Sequence, residues 1–230
     1  MDRALGEELR VKYPEIRAIA KENRAFLSRV VRYLVAERGI RQFIDIGTGL
    51  PTKENVHEVA QRADPSCRVV YVDYDRPVVR HAEALLAHGR DLVGVVEADV
   101  RAPQDVLSAG EIKRLIDFTK PVAVLMFAVL HFVPDSDDPY RAVGEFVHAL
   151  VPGSTLAISH VVARDRLRAG AALYSRHADA SASLRSRAEI ARFFDGLQMV
   201  DPGLVAVNRW RPEAQSRRDA WLLGGVGEKC

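Results

Sequence analysis

The chain of 230 residues holds only two cysteines, Cys67 and Cys230, and neither sits in a C-x-x-C pair or at metal-ligand spacing. That excludes a cysteine framework as the source of stability and fits reduced thiols in the cytoplasm. Long apolar runs are missing too. No uninterrupted stretch approaches the roughly 18 residues of a membrane span, and Met1 to Lys12 is charged throughout, without the apolar centre of a signal peptide. A soluble, cytoplasmic protein with no membrane partner is expected. Neither charge sign is in excess, with 33 Lys and Arg against 31 Asp and Glu, so no global field favours nucleic acid. No Ser-His-Asp order, paired-acid arrangement or His/Cys cluster stands out, and no metal is expected. Internal repeats and low-complexity segments are absent as well.

What is present is Phe43-Ile44-Asp45-Ile46-Gly47-Thr48-Gly49-Leu50-Pro51-Thr52. An apolar, partly β-branched run ends in a glycine turn, the pattern of a buried parallel strand whose backbone then bends tightly against a ligand. Such a turn opening a helix can hold a nucleotide-like ligand. An acidic residue two before the first glycine is the form associated with S-adenosylmethionine sites. The dinucleotide fingerprint needs a further glycine three after the second, and position 52 is Thr.

Around this turn the chain alternates. Apolar residues at helical spacing from Glu15 to Arg38, stopped by Gly39, predict an opening helix. Then follow strand 41–46, helix 52–62, strand 68–73, helix 76–88, strand 93–97, a short helical region 103–118, strand 121–127, helix 139–150 and strand 154–160. Five βα-type units imply a mostly parallel sheet with helices on both faces. Residues 161–187 are rich in arginine and alanine and read as a solvated face; 187–195 reads as a short helix, and 197–201 and 219–226 as late strands. The expected organisation is one domain, with residues 1–40 packing as a helical segment on a core of 41–230.

Ligands in open α/β sheets bind beyond the carboxyl ends of the strands. There the sequence places Asp45 to Gly49, then Asp73-Tyr74-Asp75, then Glu97-Ala98-Asp99-Val100, then Phe127 to Phe132. Asp73 could accept from both hydroxyls of a ribose, and Asp99 from an adenine amine. Each acid alone is an ordinary loop residue; their occurrence at successive strand ends after a glycine turn carries the ligand reading. Asp75, before Arg76-Pro77, reads first as a helix N-cap. His131 is the candidate general base, although packing in an aromatic loop is the favoured reading, and His57 and His160 read as structural or pocket-lining.

These words, together with Asn23-Arg24-Ala25-Phe26-Leu27, Asn55-Val56-His57-Glu58-Val59-Ala60, Val69-Val70-Tyr71-Val72-Asp73, Ala98-Asp99-Val100-Arg101 and Leu130-His131-Phe132-Val133, resemble a bacterial family of S-adenosylmethionine (SAM)-dependent methyltransferases that long carried an unknown-function label. The resemblance spans about residues 15 to 228. It implies an α/β Rossmann-like class I methyltransferase fold, a mostly parallel seven-stranded sheet with an antiparallel last strand. It implies SAM as cofactor and S-adenosylhomocysteine as product. Asp45, Gly47 and Gly49 would cradle the methionine part, Asp73 the ribose and Asp99 the adenine amine, with the Val100 backbone beside the ring. Thr48, Tyr74 and Phe127 complete the expected set. Members of the family typically carry a Tyr-, Gly- and Asp-rich segment before the first helix, whereas this chain begins Met1-Asp2-Arg3, so a more open site, a different lid or weakened catalysis is expected.

Methyl transfer to a small-molecule acceptor is the leading function. A SAM- or nucleoside-binding protein without transfer is the alternative, and a homodimer is possible. An NAD-dependent oxidoreductase is disfavoured by Thr52 and by the lack of a hydride-transfer constellation.

Overall fold

The computed structural model describes residues 15–49, 54–86, 91–163, 183–213 and 221–230. Helix α1 (Glu15–Ala36) forms where the sequence repeats apolar residues at three- and four-residue steps. Phe26, Leu27, Val30, Val31, Leu34 and Val35 are buried on one side of it. It ends two residues before the sequence predicts, and the chain reverses at Gly39, whose φ of 67° suits glycine. The Ile40 amide then donates back to the Leu34 carbonyl at 3.0 Å.

From there the order is β1 (Gln42–Ile46), α2 (Val56–Ala63), β2 (Arg68–Asp73), α3 (Arg76–Leu85), β3 (Val93–Glu97), α4 (Pro103–Ser108), α5 (Gly110–Leu115), β4 (Ala123–Phe127), α6 (Pro139–Ala149) and β5 (Thr155–Val161). The chain closes with α7 (Arg187–Ala191), β6 (Gln198–Met199), β7 (Val205–Ala206) and β8 (Leu222–Glu228). The predicted 103–118 region is two helices, broken where Ala109 turns extended before Gly110.

The sheet runs β3-β2-β1-β4-β5-β8-β6, with β7 also on β8. The first five strands are mutually parallel, while β8 lies antiparallel to β5, β6 and β7. The antiparallel final strand is as expected. Among the described residues the sheet has eight strands rather than seven, because the two-residue β7 joins it; such a short pairing leaves no periodicity to read.

Strand order reverses between β1 and β4, so the connections leave in opposite directions and open a crevice at their carboxyl ends. The two sheet faces carry separate cores. One packs α1, α2 and Leu86 at the end of α3 with Phe43, Tyr71, Leu125 and Phe127; the other packs α4, α5, α6 and α7 on Ile44, Ile46, Val70, Val124 and Met126. Glycine in β8 lets α1 sit down: a Cβ on Gly224 would lie 2.6 Å from the Phe26 ring.

Candidate functional site

The turn after β1 is tied to β2 rather than to a helix. The Gly47 amide donates to the Val72 carbonyl at 2.8 Å, and the Thr48 hydroxyl bonds the Asp45 and Val72 carbonyls, both at 3.3 Å. The Gly49 amide donates to Asp73 Oδ2 at 2.9 Å. Gly47 and Gly49 have φ of 73° and 63°, where a side chain is strained. At Gly47 there is also no room, since a Cβ would meet Val129 Cγ2 at 2.4 Å. Helix α2 starts only at Val56, after Asn55, so the expected helix start at position 52 is corrected by four residues. Leu50 to Lys53, Pro51 and Thr52 among them, lie outside the described residues.

Beyond the strand ends lies an open cleft of about 300 Å³. Gly47, Asp73, Tyr74, Asp99, Val100 and Arg101 line one side, and Val129, Phe132, Val133 and Asp137 the other. Five expected residues therefore meet there: Gly47, Asp73, Tyr74, Asp99 and Val100. Others do not line it. Thr48 faces a separate small pocket with His57 and Tyr71. Phe127 alternates onto the α1 face of β4, where its ring meets Phe26 edge-on at 5.4 Å. Its burial in the core leaves only its backbone near the cleft.

Asp73 is held in place by two backbone amides. Its Oδ2 takes the Gly49 amide and its Oδ1 the Asp75 amide at 3.0 Å, fixing the carboxylate while each oxygen keeps a free lone pair. Asp75 occupies the N-cap position of α3, but its side chain makes no capping bond.

Asp45 is buried at the end of β1. Burial pushes its carboxyl up to about 7; the Arg24 charge opposes this and Asp73 adds to it. Against an unfolded value of 3.8, the folded chain holds the extra proton between 3.8 and about 7. Stability therefore falls as pH rises through that window, and the full cost stands above it. Asp45→Asn is expected to flatten this slope and raise the melting temperature above neutral pH. Thermal melts across that pH range check it, and an unchanged slope would contradict it.

At the end of β3, Asp99 is engaged by its neighbour two residues on. Arg101 Nη2 reaches Asp99 Oδ2 at 2.5 Å while Nη1 reaches Asp137 Oδ2 at 2.9 Å, across the cleft mouth. Partial burial raises the Asp99 carboxyl, but the bonds from Arg101 outweigh this and hold it below the usual range.

The end of β4 is braced from two directions. Ala128 adopts a left-handed φ of 56°, its amide bonding both the carbonyl and the hydroxyl of Ser159 at 3.0 Å. That hydroxyl donates to Asn23 Oδ1 at 2.6 Å, tying α1 to the strand ends. Farther on, Arg185 is 2% exposed, so it departs from the solvated face expected of residues 161–187. It donates to the carbonyls of Leu130 and Val133, both at 2.8 Å, and to Asp135 at 2.6 Å. His160 Nε2 lies 3.0 Å from its Nη1. Arg164, Arg166, Arg168 and Arg176 lie outside the described residues.

His131 is buried and does not line the cleft; its carbonyl accepts from the Ser183 amide at 2.7 Å. Burial drives its pKa down to about 3, with His160 and Arg185 adding to the effect. An imidazole this hard to protonate is a poor general base at neutral pH. His57 bonds the Tyr71 hydroxyl through its backbone amide at 2.9 Å and its ring at 2.7 Å, and His160 serves Arg185, so both have structural partners. Among the described residues no group of three His, Cys, Asp or Glu side chains could hold a metal, and no helix is long and apolar enough to cross a membrane.

Sequence pattern places Val129 at the end of the fourth strand, Asp137 in the loop after it and Arg185 in the variable region 161–187, but gives none of them, nor Arg101, an individual role. Only Arg101 left a local signal, two residues after an acid.

A parallel sheet with a switch-point cleft, a glycine turn and acids at the next two strand ends defines a Rossmann-like methyltransferase architecture. Solved structures at low identity share that fold. The N-methyltransferase NodS from Bradyrhizobium japonicum, in complex with S-adenosylhomocysteine, superposes with a TM-score of 0.53 at 14% identity over 88% of this chain and 85% of that one. The chain belongs to the S-adenosyl methyltransferase family, whose model matches residues 1–229 and whose cofactor is SAM. A DUF574 family protein from Streptomyces avermitilis is 38% identical, with a TM-score of 0.91 over 98% of this chain and 89% of that one. A candidate methyltransferase from Thermobifida fusca is 36% identical, with a TM-score of 0.92 over 99% and 87%. A search of curated proteins found no match.

Proposed function

We propose that the protein transfers the methyl group of SAM to a small-molecule acceptor, and that the cleft beyond β1, β2 and β3 holds the cofactor. The observation that carries the reading is the convergence of Gly47, Asp73 and Asp99 from three successive strand ends on one cleft. A nucleoside fits these groups: Asp73 keeps one lone pair on each oxygen for a pair of vicinal hydroxyls, and Asp99 and the Val100 backbone flank the place of a purine.

In this reading Asp73 binds the ribose, Tyr74 covers it, Asp99 and Val100 fix the adenine, and the Gly47 to Gly49 turn admits the amino-acid tail. Asp45, buried with Arg24 in electrostatic reach, presents a carboxylate to an ammonium. When bound, SAM supplies an activated methyl on a sulfonium, so that the acceptor needs only alignment and a dry approach. The chain's residues do that work: the Asn23–Ser159–Ala128 bonds and the Arg185 clamp fix the loop after β4 that walls the cleft. No base is required of His131, which packs beside Phe132 at 4.3 Å between ring centroids.

The alternative, a binding module without transfer, is kept because no cleft residue is a clear general base. The two separate on one assay: methyl-labelled SAM incubated with the protein and a panel of small phenols, amines and carboxylates. Label appearing in an acceptor supports transfer. Tight SAM binding with no labelled product across the panel favours the binding module.

A further inference from the structure

We propose that Arg101 sets how strongly the site distinguishes a 6-amino from a 6-oxo purine, by occupying the acceptor positions of Asp99. The inference rests on the cofactor reading above. Arg101 donates to Asp99 Oδ1 through its backbone amide at 2.9 Å and its Nε at 3.0 Å. It reaches Oδ2 through Nε at 2.9 Å and Nη2 at 2.5 Å. Nε carries one hydrogen, shared between the two oxygens, so three N–H groups of Arg101 engage a carboxylate that has about four acceptor positions.

An adenine amine therefore competes with Arg101 for Asp99 and bonds it best by displacing part of the Arg101 interaction. What it gains is offset by what the guanidinium loses, and the net preference for the amine is small. A 6-oxo base meets less resistance than a bare carboxylate would offer, because Arg101 is a donor at the same spot and its charge cancels that of Asp99. The guanidinium stays near even when displaced, since Nη1 holds Asp137 on the far wall at 2.9 Å. The side chains are partly exposed, 51% for Arg101, 27% for Asp99 and 31% for Asp137, so each bond is weak and exchangeable. Exposure also means that replacing Arg101 should leave the fold intact.

The test is isothermal titration with S-adenosylhomocysteine and with its 6-oxo analogue, S-inosylhomocysteine, on the wild-type chain, Arg101→Met and Asp99→Asn. Arg101→Met keeps the apolar stem along the wall but frees Asp99. The ratio of the two dissociation constants, 6-oxo over 6-amino, is expected to rise about fivefold in Arg101→Met, the scale of one partly exposed charged hydrogen bond. It is expected to fall below the wild-type value in Asp99→Asn, whose amide can donate to the oxo group. A structural role for Arg101 would weaken both ligands alike; an unchanged or lowered ratio in Arg101→Met, with Asp99→Asn behaving as expected, overturns the proposal alone. A ratio indifferent to Asp99→Asn, or no binding of either ligand to the wild type, removes the adenine from Asp99 and overturns the proposal together with the reading beneath it.

Discussion

Asp73→Ala is expected to weaken binding of S-adenosylhomocysteine about a hundredfold. In the proposed pose the carboxylate meets two ribose hydroxyls, and a hydrogen bond to a charged group contributes about 1.5–3 kcal/mol. Two such bonds, discounted because the cleft is open to water, leave roughly the 2.7 kcal/mol that a hundredfold represents. The substitution also frees the Gly49 and Asp75 amides, but these sit where water can replace the lost acceptor. The melting temperature should therefore move by only a few degrees, on the scale of about 1 kcal/mol. Asp73→Asn, which keeps one acceptor oxygen, should fall between, near tenfold. Calorimetric titration of the three proteins decides the matter; equal affinities would remove Asp73 from the binding site.

Arg185→Met has the largest expected effect on stability, a loss of about 2–4 kcal/mol, since Asp135 is itself 70% exposed and leaves no buried charge behind. The guanidinium sits almost wholly inside, against Leu130, Val133, Asp135 and His160, and 5.5 and 5.8 Å from the ring centroids of Phe193 and Tyr140, which stack on each other. Removing it takes the side-chain donor from the buried Val133 carbonyl, at a cost of about 1–3 kcal/mol, while the Leu130 carbonyl keeps the Val133 amide at 3.2 Å. Methionine fills the space of the stem, which keeps the cavity cost small. For a domain of this size the melting temperature should drop by roughly 10 °C. Lysine should not rescue it, because a single ammonium cannot span donors arranged in a planar fork. Differential scanning calorimetry of Arg185→Met and Arg185→Lys checks both statements; a lysine variant as stable as wild type would show that charge alone matters.

The two sites differ in how far the sequence reveals them. The glycine turn, Asp73 and Asp99 could be read because each belongs to a local pattern: an apolar run, its end, and an acid just after it. The alternation of strands and helices was legible for the same reason, whereas the antiparallel direction of β8 followed from the family resemblance and not from spacing. The face taken by Phe127 was not legible, since β4 is buried on both sides and all five of its residues are apolar, so hydropathy carries no parity. Arg101 and Asp137 are 36 residues apart, and Arg185 and Asp135 are 50 apart; only the folded chain brings them together. Arg185 also sat in an arginine-rich stretch whose composition pointed outward. The start of α2 was misplaced because Glu54, at a left-handed φ of 61°, delays a helix that propensity alone would have begun at the turn.

The most direct test of the account is a crystal structure of the chain grown with S-adenosylhomocysteine. The account predicts density in the cleft between the β1 turn and the loop after β4, with the ribose hydroxyls on Asp73 and the purine edge between Asp99 and the Val100 backbone. A ligand bound elsewhere on the chain, with Asp73 turned away from it, would contradict it.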